Sequence, residues 1–190
     1  RALGLGHAVW CARRLIADEP FAVILPDDVI AAEIPCLKQM VEAYEETGGN
    51  MVAAMEVSPE ETASYGVLDV KEDMGNMVSV KGMVEKPPAG EAPSNLAVIG
   101  RYILSPNVLG NLNRLKSGSG GEIQLTDAIA DEIEQEHPVY GFRFKGKRFD
   151  CGSKAGFLRA TVAFALDRPE LRDDLLGYLN EITHSEKAAQ

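Results

Sequence analysis

Positive charge is scarce in this chain. Lys and Arg total 19 against 29 Asp and Glu, which leaves a net charge of −10 and a pI near 4.8. Nucleic acids attract basic patches, so a nucleic-acid partner is excluded. A small anionic substrate stays compatible wherever cations gather locally. No stretch approaches the roughly 18 consecutive apolar residues of a membrane span, so no membrane partner is expected. The amino end carries Trp10, Cys11, Arg13 and Arg14 where an export signal needs an unbroken apolar run, and the expected location is the cytoplasm. Cysteine is sparse too. Cys11, Cys36 and Cys151 are odd in number and far apart, which argues against a disulfide framework or a CxxC metal site and for reduced thiols. Internal repeats and low-complexity segments are missing. So is an initiating Met: the sequence starts at Arg1, directly before "ALGLGHAV", and reads as part of something longer.

What is present suits a core. With 190 residues and 45% hydrophobic content, one globular domain with a small appendage is expected. "HAVWCARRLIA" (7–17) places Ala8, Val9, Ala12, Leu15 and Ile16 on one helical face. "FAVIL" (21–25) reads as a strand buried on both faces. Leu37, Met40, Val41 and Tyr44 repeat at helical spacing up to Gly48-Gly49, and "MVAAMEV" (51–57) is a further strand. This alternation of helix and strand predicts a mostly parallel sheet. "YGVLDV" (65–70) and "MVSVKGMVEK" (77–86) around "DMGN" predict a hairpin. A strand over 96–104, a short helix over 106–115, a flexible loop at "KSGSGGE" (116–122), a helix over 125–136 and a strand over 139–144 follow. Two helices, 155–167 and 170–184, close the chain before a fraying tail.

Several residues stand where chemistry is done. "VILPDD" ends an apolar run on Asp27 and Asp28, and ligands of open α/β sheets sit at the carboxyl ends of strands. Either aspartate would equally serve as a helix cap. "FDCGSK" (149–154) repeats the arrangement with Asp150, followed by Gly152 before a helix. Two such aspartates suit one Mg²⁺, which takes few protein carboxylates and completes its shell with water and phosphate oxygens. In "GMVEKPP" (82–88), Pro87 biases Lys86 toward an extended backbone, and strand alternation sends Glu85 and Lys86 to opposite sides. Glu85 then suits sugar hydroxyls and Lys86 a phosphate, although solvated surface is the ordinary reading of such a pair. "GLGHA" (4–8) frees backbone amides before a helix but lacks the third glycine of a dinucleotide fingerprint. Gly66 and Gly100 interrupt strand patterns, as bulges or ligand approaches do. Lys145, Lys147, Arg148 and Lys154 gather in sequence around Asp150.

Taken in series, "LGLGHAV", "FAVILPDDVI", "YGVLDV", "GMVEKP", "APSNLAVIGRYIL", "GEIQLTDAI" and "KGKRFDCGSKAGFLRA" resemble the sugar-nucleotide pyrophosphorylases, and among them the bacterial UDP-glucose pyrophosphorylases, over residues 3–166. The resemblance implies a Rossmann-like α/β fold with helices on both sheet faces and a small hairpin insertion. A nucleotidyltransferase domain would occupy 1–168 and a carboxyl-terminal helix and tail 169–190. It implies Mg²⁺-dependent transfer of a uridylyl group from UTP to glucose 1-phosphate, giving UDP-glucose and pyrophosphate, in a homo-oligomer. By position, Asp27 and Asp150 would be catalytic metal ligands. Gly4 would lie against the base, Gly66, Glu85 and Val98 would hold the glucose, and Lys86 would bind the sugar phosphate. The family also places a first strand, a G-x-G-T-R loop with a following lysine, and a glutamine ahead of "LGLGHAV"; none of these is among the 190 residues. A sugar-nucleotide-binding module without turnover, or the same chemistry with dTTP, stands beside this reading.

Overall fold

The structure is a computed structural model describing residues 3–16, 18–88, 90–114 and 121–188, with side chains through 184. The chain forms two compact units, each discontinuous in sequence. Pro26–Glu33 and Gly146–Gln190 make one, and the remainder makes the other. These units divide the chain elsewhere than at residue 168. A short strand after Asp27 pairs with the strand before Cys151 and carries 26–33 into the carboxyl-terminal unit.

The larger unit holds α1 (Leu5–Cys11), β1 (Phe21–Ile24), α2 (Cys36–Thr47), β3 (Asn50–Glu56), β4 (Gly66–Asp73), β5 (Met77–Glu85), β6 (Leu96–Leu104), α3 (Asn107–Arg114), α4 (Leu125–Glu134) and β7 (Val139–Arg143). The smaller holds β2 (Asp28–Ala31), β8 (Lys147–Asp150), α5 (Lys154–Leu166) and α6 (Pro169–Ala188). Six strands of the larger unit form one sheet in the order β1-β6-β3-β7-β5-β4, and β4 also bridges β6. The sheet is mixed, and the mostly parallel arrangement expected from the alternation of helices and strands is corrected. β1 and β3 each run antiparallel to β6, hence alike in direction, and β7 runs parallel to β3. β6 lies between β1 and β3, so β3–β7 is the one parallel pair among the described residues. The 66–85 hairpin forms as predicted.

The core gathers around β3 and β6. Met51, Val52, Leu68, Leu96, Ile99, Leu104 and Ile129 are almost wholly buried. A polar knot lies beside it. The fully buried Glu132 accepts hydrogen bonds from Asn111 Nδ2 (2.7 Å), Asn50 Nδ2 (3.3 Å) and Ser105 Oγ (3.2 Å), and His137 Nδ1 lies 3.1 Å away. Asn50 in turn accepts from the Ser105 amide. Buried polar groups need such partners, and this knot ties β3 to α3 and α4.

Some local expectations are corrected. β1 alternates half-buried and exposed residues instead of burying both faces, because it lies at the sheet edge. α1 stops at Cys11, a 3₁₀ turn follows at Ala12–Arg14, and Leu15 is 91% exposed. There Arg13 donates to the Trp10 carbonyl and stacks its guanidinium 3.4 Å from the indole centroid. The loop expected at 116–122 lies mostly outside the described residues. α6 continues past 184 to Ala188.

Candidate active site

In the smaller unit, the "PDD" aspartates divide their work. β2 starts at Asp28, so neither aspartate caps a helix; α2 starts only at Cys36 and has Pro35 at its cap position. Asp28 stands opposite Asp150 on the antiparallel β2–β8 ladder. Like charges in such a position repel. Arg148, two residues before Asp150 and hence on its face of the strand, donates through Nε to Asp28 Oδ1, and both side chains are nearly buried. Asp27 is exposed. Its carbonyl accepts from the Cys151 amide at 2.7 Å, and the Gly152 amide donates to Asp150 Oδ1 at 3.1 Å. The two carboxylates converge: a Cβ built on Gly152 would lie 3.1 Å from Asp150 Oδ1 and 3.2 Å from Asp27 Oδ2.

That convergence fits a hard cation. Both donors are carboxylate oxygens, and the point they share is one a side chain would fill. Among the described residues no group of three or more His, Cys, Asp and Glu is arranged to hold a metal. A pair suits Mg²⁺, which keeps several waters and takes substrate phosphates. Beside the pair, Cys151, Gly152, Ser153, Lys154, Phe157 and Leu158 line an open hollow of about 380 Å³. The basic residues near Asp150 scatter. Arg148 pairs with Asp28, Lys147 lies 5.2 Å from the Phe149 ring centroid, and Lys145 belongs to the larger unit.

In the larger unit, Gly66 and Glu85 face each other across the β4–β5 ladder. Glu85 accepts from Thr126 Oγ1 at 2.7 Å, which fixes the direction of its carboxylate. A Cβ on Gly66 would meet Glu85 Oε2 at 3.1 Å and Thr126 Oγ1 at 3.2 Å. Gly66 thus leaves a polar niche open rather than marking a bulge. Val98 is buried in β6, next to the Val67–Ala97 bridge that joins β6 to β4 one residue beyond Gly66. Asp127, beside Thr126, has its carboxyl held above its ordinary 3.8, first by burial and then by the charges of Glu85 and Asp131.

Lys86 departs from expectation. It lies just past β5 with φ 47°, in the left-handed region, although Pro87 follows. Its amide donates to the Tyr65 carbonyl at 2.9 Å, and that bond holds the turn. Lys86 Nζ and Glu85 Oε1 are 3.9 Å apart, so the two side chains meet instead of diverging as strand alternation predicts. Gly4, at φ 103°, has a sufficient reason in packing: an added Cβ would strike Ile123 O at 2.7 Å and Glu122 Cβ at 2.8 Å. Sequence reasoning misses three residues of these clusters in their present roles: Thr126, which falls inside the helix expected over 125–136, Gly152, which reads only as the residue ahead of a helix, and Arg148, which reads only as one of the basic residues around Asp150. The pairing of β2 with β8, across more than a hundred residues, left no local signal.

Comparison with known proteins identifies the family of the fold. The family model described as nucleotidyl transferase matches residues 1–166. A UTP–glucose-1-phosphate uridylyltransferase of Bacillus subtilis is 46% identical over 184 residues, covering 97% of this chain and 63% of that protein. One of Komagataeibacter xylinus is 55% identical over 151 residues, covering 80% of this chain and 53% of that protein. The chain thus spans between about half and two thirds of the curated relatives it matches. Among solved structures, a UDP-glucose pyrophosphorylase complexed with UDP-glucose superposes with a TM-score of 0.84 at 42% identity, over 88% of this chain and 64% of that one. The mixed α/β fold and the family-model match lead to one conclusion: this chain belongs to the nucleotidyl transferase family.

Proposed function

We propose that the protein to which this chain belongs transfers a uridylyl group from UTP to glucose 1-phosphate, releasing pyrophosphate and forming UDP-glucose. An oxygen of the sugar phosphate bonds to the α-phosphorus of UTP as the bond to the pyrophosphate oxygen breaks. Such transfers need positioning and charge neutralisation, and no protein nucleophile. The observation that carries the reading is the pair of carboxylates, Asp27 and Asp150, converging on a residue without a side chain.

Asp27 and Asp150 would hold Mg²⁺, which when bound neutralises phosphate charge. Glu85, aimed by Thr126 and faced by the open position at Gly66, accepts hydrogen bonds from glucose hydroxyls. Val98 supplies backbone and bulk at the same strand junction. Lys86 meets the sugar phosphate with a charge held in a fixed turn. Gly4 presents backbone to the base. Free thiols at Cys11, Cys36 and Cys151 accord with a cytoplasmic setting, and among the described residues no helix is long and apolar enough to cross a membrane. Exposed Phe157, Leu158 and Tyr178 on α5 and α6 support a homo-oligomer.

Calorimetric titration of the chain with UDP-glucose, with and without Mg²⁺, tests the proposal. Binding strengthened by Mg²⁺ is expected, with dTDP-glucose binding more weakly. A folded chain that takes up neither sugar nucleotide would refute the assignment of these residues.

A further inference from the structure

The proposed cation site contains a glycine whose presence the backbone does not explain. Gly152 has no positive φ, unlike Gly4, Gly48, Gly49, Gly75, Gly90, Gly121 and Gly146. It is exposed, so burial does not forbid a side chain either. Its amide bond to Asp150 Oδ1 is open to any residue except proline. What a side chain would meet is specific: Asp150 Oδ1 at 3.1 Å and Asp27 Oδ2 at 3.2 Å, with Asp27 Cβ behind at 3.8 Å. The same pattern occurs at Gly66, where the missing Cβ leaves room beside Glu85 Oε2.

The backbones on both sides of the gap are already fixed. Asp27 is tied through its carbonyl to the Cys151 amide, and Asp150 sits on the β2–β8 ladder opposite Asp28. The Ser153 amide and hydroxyl both lie within bonding range of the Asp150 carbonyl, at 3.4 Å and 3.1 Å. With the main chain held, the remaining freedom is in two short carboxylate side chains. A methyl group there would press more tightly than an ordinary contact on both oxygens, which must give way, and would put an apolar surface beside them.

We propose that Gly152, by lacking a side chain, keeps the space between Asp27 and Asp150 free for a divalent cation. This rests on the metal role proposed above for the two aspartates. Gly152 itself offers no ligand atom; it acts by leaving the space unfilled.

The experiment is a titration of the chain with Mn²⁺, following the free ion by electron paramagnetic resonance, beside melting curves without metal. Wild type is expected to bind, and D150N to lose binding. G152A should bind about 10–100-fold more weakly, the range for changes next to metal ligands, while melting within a few degrees of wild type. Should G152A fold poorly, D27A/G152A, which removes one of the crowded carboxylates, is expected to recover the lost melting temperature. A G152A protein that binds Mn²⁺ as wild type does, while D150N does not, would overturn the role of Gly152 and leave the metal pair standing. Where G152A folds poorly, failure of D27A/G152A to recover stability would also overturn it. Equal binding by wild type and D150N, or no binding by either, would remove the metal pair and the proposal together.

Discussion

Arg148 donates through Nε to the Asp28 carboxylate across the β2–β8 ladder, with 10% and 11% of the two side chains exposed. A pair so buried gives little net stability when intact but is strongly destabilising when halved, because the survivor is a desolvated charge. Arg148→Met should lower unfolding free energy by about 3 kcal/mol. Chemical denaturation would measure this. A loss under about 1 kcal/mol would show that solvent reaches Asp28 freely.

Lys86 combines a charge with a left-handed backbone ahead of a proline. A non-glycine residue there is strained by roughly 1–2 kcal/mol. Lys86→Gly should therefore raise stability by about 1 kcal/mol, whereas Lys86→Ala should not. Both should weaken glucose 1-phosphate binding about tenfold or more, since a charge-assisted hydrogen bond contributes about 1.5–3 kcal/mol. Urea midpoints and calorimetry would separate the two effects. Unchanged glucose 1-phosphate affinity in both variants would dismiss Lys86 as a phosphate ligand.

Asp127 provides a pH signature. Burial, then Glu85 and Asp131, raise its folded pKa above the ordinary 3.8. The folded state then holds the proton more tightly than the unfolded chain. Its contribution to stability is fully present below the unfolded value and is lost as pH rises through the raised one. Asn at 127 has no proton to lose. The melting temperature of D127N relative to wild type should climb in the variant's favour as pH rises from the carboxylate range toward neutral. A difference independent of pH would contradict the environment described for Asp127.

Glu132 should be the most sensitive of the buried polar positions. Leucine there would orphan donors from Asn50, Ser105 and Asn111 at once. Each unsatisfied buried group costs about 1–3 kcal/mol, so E132L should lose more than about 3 kcal/mol or fail to fold. Glutamine, which keeps one acceptor oxygen, should be milder. Equal stability of the two variants in urea would mean that the knot relaxes around either.

Much of this was legible in the sequence because it is local. Apolar runs and their punctuation marked β3, β6, the β4–β5 hairpin and four of the helices within a few residues. The position of Asp27 and Asp150 could be read from where apolar runs stop. The rest depends on partners distant in sequence. Whether Asp28 is a cap, a metal ligand or half of an ion pair is decided by Arg148, 120 residues away. Thr126 reads as a helix start until the hairpin brings Glu85 to it. The left-handed turn at Lys86 runs against the bias of the following proline, and the Tyr65 carbonyl that holds it comes from another segment. Sheet order was the largest miss, because alternating helices and strands do not reveal a strand that is later inserted antiparallel between two earlier ones.

That insertion bears on synthesis. β1 and β3 leave the ribosome early and lie in register on opposite sides of β6, which follows some forty residues after β3. Until β6 emerges, the two earlier strands have no common neighbour, and the apolar faces of Met51, Val52 and Ala53 must wait. Pairings this distant slow folding, and transiently exposed strands invite aggregation. A pause in translation before β6 has emerged would hold the nascent chain in its most vulnerable state; a pause after its emergence would find β1, β6 and β3 able to pair.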